Sequence, residues 1–481
     1  MRFQIDLGKP AATARRRDDQ PLTLLVLGNF SGATAAGAPW VPVKIDLDNF
    51  DAVFSAFEPS LDLELPGLAG ARLKLRFGSL DDLHPDALFR EWGVFSALRE
   101  QRALLANPAT FSQAAASLLD ATKTAARDVV EGDMFERLLG SRGRDAAPTG
   151  GVVHQLISGV VAPYIVPDIA PEQSRYIASV DAAITATMRD ILHAPAFQAL
   201  EAAWRGVKAL LDDTEGGDEI EIWLLDASAA RMDADIAEHA DDPAGSALHD
   251  VIVARAERAP DATPWSVVLG DYLFTADEAG LRRLATLGAL ARRAGAVFVG
   301  GADPRLASRV SFAKGAAAPA ADAPVAESWR DLRRQPFAAH VALAAPRTLV
   351  RLPYGKGTDP IDAFAFEELA DDAPPESLLW GNGAFVLARL LVRAFLANGW
   401  DAEPGDELEI DGFPALVRGR GDDRELQACA EGYLADGVAE KLLSLGLVPL
   451  QSHEKRPAVR AMRVQSVADP AAPLAFSRTN T

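Results

Sequence analysis

The chain has 481 residues, of which 49% are hydrophobic and 24% charged, a composition typical of soluble globular proteins and not of disordered or membrane proteins. Its 68 acidic and 48 basic residues give a net charge of −20, which disfavours nucleic acid and anionic lipid as partners. Cys429 is the only cysteine, so an intramolecular disulfide and a multi-cysteine metal site are excluded. No apolar run approaches the length of a membrane span, and the N-terminus lacks a signal-peptide pattern. We therefore predict a cytoplasmic, multi-region protein without membrane insertion, whose partners are other proteins.

The N-terminal part of the sequence predicts strands followed by a helix. Apolar and polar residues alternate over residues 2–6, which predicts a detached edge strand, and the apolar run Thr23–Leu27 predicts a strand covered on both faces. Ala71–Phe77 alternates again and predicts a half-exposed strand. An amphipathic helix begins at Pro85 and is ended by Asn107.

A stretch without periodicity, Ser141–Gly151, marks the boundary between two regions. Two amphipathic helices follow it. Val180, Ile184, Met188 and Ile191 form the apolar stripe of the first, and the second begins after Pro195.

Strands and helices then alternate. Strands are predicted at Ile220–Leu224, at Ser266–Leu269 and at Ala296–Val299, the last two ended by glycines, with a helix that opens at Asp277 between them. Farther on, Gly383–Leu396 predicts a buried helix, Asp436 the start of another helix, and Val459–Val467 a strand. The order indicates an α/β fold, with mixed sheets covered by helices.

The sequence contains no pattern that predicts catalysis, a cofactor or a metal site. Its seven histidines lack metal-binding spacing, and the metalloprotease and nucleophile-elbow motifs are absent. Gly355-Lys356-Gly357-Thr358 departs from the phosphate-binding loop and predicts a turn. Asp271 follows an apolar strand, so it predicts either a turn residue or, with Gly300-Gly301, a ligand crevice at a sheet edge.

One stretch, Ile191–Gly206, resembles the signature of the large subunit (TssC or VipB) of the contractile sheath of type VI secretion systems. The residues that carry the resemblance are His193, Phe197, Leu200, Glu201, Trp204, Arg205 and Gly206. Further matches follow in family order, namely Val268–Phe274, Arg351–Gly355, Phe366–Glu368, Leu379–Asn382, Leu445–Leu450 and Val464–Val467.

The N-terminal third resembles the small sheath subunit (TssB or VipA) instead, at Val26–Gly32 and Phe77–Asp86. The chain is therefore interpreted as a fusion of the two partners. We divide it into a small-subunit-like region (1–120), a helical junction (121–175) and a large-subunit-like α/β region (176–481).

The resemblance implies a structural, non-enzymatic subunit with a contractile-sheath-like fold. Copies of the chain would form a helical homopolymer around an inner-tube protein, meet baseplate proteins, and be recycled by an AAA+ unfoldase. Terminal strands would be exchanged between protomers, and we assign this role to Phe3, Ile5, Met462 and Val464.

Two other interpretations remain open. A sheath-like accessory or cap component would bind the apparatus without forming the tube. A small-molecule-binding α/β enzyme would use the crevice near Asp271 and Gly300-Gly301.

Overall fold

A computed structural model of the protein describes residues 20–32, 40–65, 72–125, 173–214, 219–255, 263–303, 306, 326–370, 373–419 and 424–476. In chain order, the strands of this part are β1 (Leu22–Gly28), β2 (Val43–Ile45), β3 (Ser60–Glu64), β4 (Arg72–Arg76), β5 (Ile220–Asp226), β6 (Val267–Phe274), β7 (Val297–Ala302), β8 (Val341–Ala345), β9 (Thr348–Leu349), β10 (Trp380–Gly381), β11 (Glu409–Asp411), β12 (Val417–Arg418), β13 (Glu425–Leu426), β14 (Val448–Ser452) and β15 (Ala458–Ala461).

Helices connect and cover these strands. They are α1 (Phe50–Ala56), α2 (Pro85–Glu91), α3 (Gly93–Ala106), α4 (Phe111–Ala125), α5 (Gln173–Leu192), α6 (Pro195–Asp212), α7 (Ala229–Glu238), α8 (Glu278–Ala294), α9 (Glu327–Arg333), α10 (Gly383–Asn398) and α11 (Asp436–Ser444). Short helical turns lie at Leu80–Leu83, Pro243–Gly245, Ala247–His249, Asp250–Ala254, Pro336–His340, Pro375–Ser377 and Gly399–Asp401.

The chain folds into two compact units that interleave along the sequence. The first, which we call the sheet unit, comprises Met1–Val53, Ala202–Leu352 and Leu378–Thr481. The second, the hairpin unit, comprises Phe54–Glu201 and Pro353–Ser377. The unit boundaries therefore do not coincide with the division of the sequence into small-subunit-like and large-subunit-like regions, because each unit contains residues of both.

In the part of the chain that the structure describes, a nine-stranded mixed sheet is the centre of the sheet unit, with the order β11-β15-β14-β8-β7-β6-β1-β5-β2. Strands β5, β1, β6, β7, β8 and β14 run parallel in the interior, whereas β2, β15 and β11 add antiparallel toward the two ends. Strands β1, β7 and β8 are buried on both faces, as the apolar runs predict for parallel strands. The mixed α/β architecture is thus confirmed.

Helices cover both faces of this sheet. Apolar residues of α7, α8, α9 and α11 form one continuous core with the sheet. Helix α10 contacts β6, β7 and β8 but contributes nothing to that core, so it covers the other face. The stretch Gly383–Asp401 is long and apolar enough for a membrane span, yet 67% of it is buried inside the protein. Its composition is explained by packing on the sheet.

The hairpin unit is built from the antiparallel pair β3–β4 and the helices α2 to α5. The hairpin alternates strictly, because Leu61, Leu63, Leu73 and Leu75 point inward while their neighbours are exposed. Helix α3 packs against α4 and α5. Aromatic contacts close this core, including Phe77 with Phe197 at 6.1 Å between ring centroids.

Most predicted elements are confirmed, and four boundaries were wrong. The helix predicted from Pro85 to Asn107 is broken at Trp92, whose extended backbone (φ −91°, ψ 137°) ends α2 and begins α3. Strands β6 and β7 continue through the glycines that were expected to end them. A Cβ on Gly270 would lie 2.7 Å from Phe298 Cζ, so this glycine permits close packing within the sheet and does not mark a turn.

The C-terminal strand is also shorter than predicted. It was expected over Val459–Val467, but β15 ends at Ala461. Met462 N still donates to Pro449 O of β14, but Pro449 has no N–H to return a bond, so the ladder is not continued. The predicted strand at residues 2–6 and the predicted loop at Ser141–Gly151 lie outside the described residues.

A charged cluster fixes α10 near the end of α6. The carboxylate of Asp213, 9% exposed, accepts hydrogen bonds from Arg389 at 2.5 Å and Arg393 at 2.7 Å. Because two guanidinium groups share one carboxylate in a mostly buried place, each depends on it for charge compensation.

We expect Asp213→Ala to lower the free energy of unfolding by about 2–3 kcal/mol, since it leaves two partly buried cations without their carboxylate. Urea-induced unfolding measures this. Lys208→Ala is the control, because Lys208 forms an exposed pair with Asp212 and should change stability by less than about 0.5 kcal/mol. Equal effects of the two substitutions would contradict this account.

Candidate functional site

The feature that joins the two parts of the sequence is the position of β1. This strand pairs in parallel with β5 over its whole length, from Leu22 opposite Ile220 to Gly28 opposite Asp226, and with β6 from Leu24 to Leu27. All seven of its residues are buried. A strand from the first 30 residues therefore lies inside a sheet between two strands that come about 200 and about 240 residues later in the chain, as the pairs Leu22–Ile220 and Leu24–Val267 show. We call the contacts between residues 20–53 and the rest of the sheet unit the joint.

Trp204 anchors the joint on α6. Its indole Nε1 donates a hydrogen bond to Phe30 O at 3.0 Å, and its ring makes edge-to-face contacts with Phe30 at 5.3 Å and Phe50 at 5.8 Å. The indole is fully buried, so the hydrogen bond satisfies a donor that water cannot reach. The most distinctive residue of the signature thus holds the N-terminal part of the chain.

Asp226 shapes the turn that follows β1. Its carboxylate accepts hydrogen bonds from the backbone N–H groups of Phe30 at 2.8 Å and Ser31 at 3.1 Å. At the start of the turn, a Cβ on Gly28 would lie 2.9 Å from Phe30 Cζ, so only glycine lets the Phe30 ring fold back. The turn and the end of β5 therefore depend on each other.

Three further contacts extend the joint toward the surface. Trp400 Nε1 donates to Gln20 O at 2.9 Å, ahead of β1. The guanidinium of Arg231 lies 4.2 Å from the ring centroid of Trp40, and Lys44 pairs with Glu221 at 2.8 Å. Sequence reasoning missed these contacts and those of Phe50 and Asp226, because nothing local marks residues that meet across so long a sequence separation.

The other signature residues, which precede and follow Trp204 in the sequence, are packing residues or form polar contacts. Gly206 is a packing residue, because a Cβ there would lie 2.6 Å from the Phe385 ring of α10. Arg205 lines a cleft of about 380 Å³ in the sheet unit together with Arg389, Phe385 and Phe413. Within the hairpin unit, Phe197 and Leu200 are buried.

His193 and Glu201 belong to a polar cluster in the hairpin unit. His193 Nε2 lies 3.6 Å from Glu368 Oε1, and the buried Glu201 accepts a hydrogen bond from the Tyr354 hydroxyl at 3.5 Å. The structure therefore divides the signature. Its first residues organise the hairpin unit, and Trp204, Arg205 and Gly206 organise the sheet unit.

The residues assigned to strand exchange are not brought together within the described part. Phe3 and Ile5 lie outside it, and Met462 and Val464 follow β15 with Val464 buried. Strand β15 itself is paired on both sides, with β14 and β11. Its exchange between copies remains a prediction.

The crevice proposed near Asp271 is filled by protein atoms. Asp271 lies within β6, so the expectation of a turn residue was wrong. A Cβ on Gly300 would lie 2.8 Å from the Phe274 ring, and one on Gly301 would lie 2.3 Å from Asn382 Oδ1. Burial raises the pKa of Asp271 to about 6, and a hydrogen bond from Asn382 opposes part of this rise. Among the described residues, no group of histidine, cysteine and carboxylate side chains is arranged to hold a metal ion.

Comparison with known families identifies the two regions of the sequence that meet at the joint. Residues 174–468 match the model of the VipB family, the EvpB tail sheath N-terminal domain. The chain belongs to this tail sheath family. Residues 1–124 match the model of VipA of the type VI secretion system. A VipA-like region and a VipB-like region are therefore fused in one chain, as predicted.

Relatives of the two regions agree with this assignment. The type VI secretion system sheath protein TssC1 of Pseudomonas aeruginosa is 27% identical over 310 residues, covering 61% of this chain and 61% of TssC1. The sheath protein TssB1 of the same organism is 30% identical over 118 residues, covering 23% of this chain and 69% of TssB1. The match thus spans about three fifths of the length of TssC1. In these terms, the VipA-like region supplies β1 and β2 to the nine-stranded sheet and the VipB-like region supplies the other strands.

Replacing Trp204 by phenylalanine should lower the free energy of unfolding by about 1–3 kcal/mol, because Phe30 O loses its donor and the ring leaves a cavity. Chemical denaturation measures the change. Lys44→Ala is the control, since it removes only an exposed ion pair of the same joint and should cost less than about 1 kcal/mol. A Trp204→Phe protein as stable as wild type would show that the anchor is unimportant.

Asp271→Asn should stabilise the protein at pH 7.5 by about 1–3 kcal/mol. The folded-state pKa of about 6 lies above the ordinary value of 3.8, so the folded protein loses stability as pH rises between these values. The advantage of the variant should therefore vanish near pH 4, which thermal unfolding across pH tests. Asp277→Asn should act in the opposite direction at pH 7.5, because hydrogen bonds from Gly280 and Thr275 lower the pKa of Asp277.

Proposed function

We propose that this chain is a structural subunit of the contractile sheath of a type VI secretion system, in which copies polymerise in the cytoplasm around an inner tube. The observation that carries the proposal is the position of β1 in the VipB-like sheet, combined with the family assignment of both regions. The function of such a chain is to assemble, and its chemistry lies in packing and hydrogen bonding. Regions 1–120, 121–175 and 176–481 are proposed as its small-subunit-like part, junction and large-subunit-like part.

The joint makes each copy a fixed building block. Withdrawing β1 would open the ladder on both β5 and β6 and leave buried backbone groups without partners. Contraction therefore changes contacts between copies and leaves the central sheet intact. Fusion also sets the ratio of the two sheath regions at one to one.

Links between copies are proposed to come from terminal strands. Within the described residues, the sheet ends at β11 on the side of the C-terminal strand, so β11 offers the edge to which a strand of another copy can add. Phe3 and Ile5 supply the alternating pattern of such a strand, and Met462 and Val464 follow the strand beside that edge. Hydrogen bonds between chains would keep copies connected while their packing changes.

The further partners of the sheath are an inner-tube protein, baseplate proteins and an AAA+ unfoldase that recycles contracted copies. An accessory or cap component is the second candidate, because a fused chain that carries both sheath regions can also bind the end of a tube. The enzyme interpretation is disfavoured by the protein side chains that fill the space beside Gly300 and Gly301.

Negative-stain electron microscopy of the purified chain, alone and with an inner-tube protein, tests the proposal. We expect long tubes formed by the chain without a separate small subunit. Density restricted to the ends of inner tubes would identify a cap component instead, and the absence of any assembly with the inner tube would contradict the sheath function.

Deletion of residues 1–8 tests the strand assignment separately. The truncated chain should remain folded by circular dichroism and form no long tubes, because the exchanged strand is lost. Lys208→Ala is the matched control and should form tubes like wild type, since it alters only an exposed pair on α6. Long tubes formed by the truncated chain would refute the assignment of Phe3 and Ile5 to strand exchange.

A further inference from the structure

An unsatisfied imidazole nitrogen lies beside a fixed carboxylate in the hairpin unit. His193 occupies the turn between α5 and α6, and its backbone N–H donates to Arg189 O at 2.9 Å. Its Nε2 atom is buried and has no hydrogen-bond partner among the residues that the structure describes, and Glu368 Oε1 lies 3.6 Å away. The imidazole as a whole is 33% exposed, so protons can reach the ring from solvent.

The Glu368 side chain has a fixed place within its own segment. Its side chain is 2% exposed, and its Oε2 accepts a hydrogen bond from Tyr354 N at 2.8 Å. Its own backbone N–H donates to Tyr354 O at 2.8 Å. The carboxylate is therefore held on the segment Pro353–Glu368, which we call the strap, and the strap lies over the α5–α6 turn at this point.

The protonation state of Nε2 decides whether His193 and Glu368 attract or repel each other. An unprotonated Nε2 directs a lone pair at a carboxylate oxygen, and the two acceptors repel each other. A protonated Nε2 donates to the same oxygen and, in the imidazolium form, adds an ionic attraction. Histidine is the side chain that changes charge between about pH 5 and pH 8. The gap of 3.6 Å is just beyond a hydrogen bond, so a small shift closes it.

The other charged groups around the strap are mostly engaged by defined contacts. Arg189 donates to Glu367 O at 2.7 Å, and Glu367 Oε1 accepts from Lys356 N at 3.0 Å. On the α2 side, Asp86 accepts from the backbone N–H groups of Asp362 and Ala363.

A second imidazole, His84, contacts the Tyr354 ring at 4.8 Å, and its Nδ1 accepts from Asp86 N at 3.1 Å. Glu201 lies beyond the Tyr354 hydroxyl, with Arg205 one helical turn farther along α6, and Arg351 precedes the strap in the sequence. His84 is therefore the other imidazole beside the strap, and its effect has to be separated from that of His193.

We propose that His193 and Glu368 form a proton-dependent clamp on the strap. With Nε2 protonated, the imidazole donates to Glu368 and holds the strap on the α5–α6 turn. When the imidazolium loses a proton, the ionic attraction to Glu368 is lost even where the neutral ring keeps its proton on Nε2, and the strap opens more readily. This device is independent of whether the chain forms a sheath.

Amide hydrogen exchange of the full-length chain at pH 5.5 and pH 7.5, corrected for the intrinsic effect of pH, tests the clamp. Peptides that cover residues 353–368 should be about threefold to tenfold more protected at pH 5.5. His193→Gln should abolish this difference, because the amide does not titrate. Glu368→Gln should reduce it, because the ionic partner is lost, and so tests the same contact from the other side.

Two control variants make the result specific. His453→Gln removes another histidine–glutamate pair, formed with Glu409 at 2.8 Å in the sheet unit, and should leave the exchange of the strap unchanged. His84→Gln should preserve the pH difference. A wild-type strap that exchanges equally at both pH values would overturn the clamp, as would a pH difference that persists in His193→Gln or disappears in His84→Gln.

Discussion

The architecture of the sheet unit depends on the insertion of β1 between β5 and β6. An interior parallel strand has hydrogen-bonding neighbours on both sides and side chains buried on both faces, so it cannot be removed without exposing two strand edges in the middle of a sheet. The VipB-like region therefore does not have a complete sheet of its own. Its strands β5 and β6 become neighbours of a common sheet only through a strand of the VipA-like region.

This constraint gives the family signature a physical meaning. Trp204 is placed on α6 so that its indole binds the backbone of Phe30, directly after β1, and Gly206 allows α10 to approach the same helix. Asp226, at the end of β5, then binds the backbone that leaves β1. The backbone that leaves β1 is thus held by a buried hydrogen bond from Trp204 and by part-buried ones to Asp226, and mispairing of β1 would leave several of these groups without partners.

Local sequence patterns predicted the elements well and their partners poorly. The apolar run of β1 and the alternation of β4 are properties of a few neighbouring residues, so they predicted both strands and their burial. The pairing of β1 with β5 depends on residues about 200 positions apart, and no local pattern encodes it.

Two predicted element boundaries were wrong because of packing and backbone conformation that the sequence pattern does not show. Glycine was interpreted as the end of β6, whereas Gly270 is required by the close approach of Phe298. The extended backbone at Trp92 interrupts a helical stripe whose apolar spacing continues across the break. For the candidate site, the resemblance identified Trp204 and Gly206, but Phe50 and Asp226 could be recognised only once the chain was folded.

Fusion changes the energetics of the joint more than its geometry. When two separate chains share a sheet, formation of the sheet loses translational and rotational freedom and depends on the concentrations of both. In one chain, the same ladder forms intramolecularly at an effective concentration set by the intervening sequence. Weak contacts at the edge of the joint, such as Lys44 with Glu221, then need not contribute to affinity. The contacts of Trp204 and Asp226 with the backbone after β1 remain important, because they select the register of β1 and not merely its proximity.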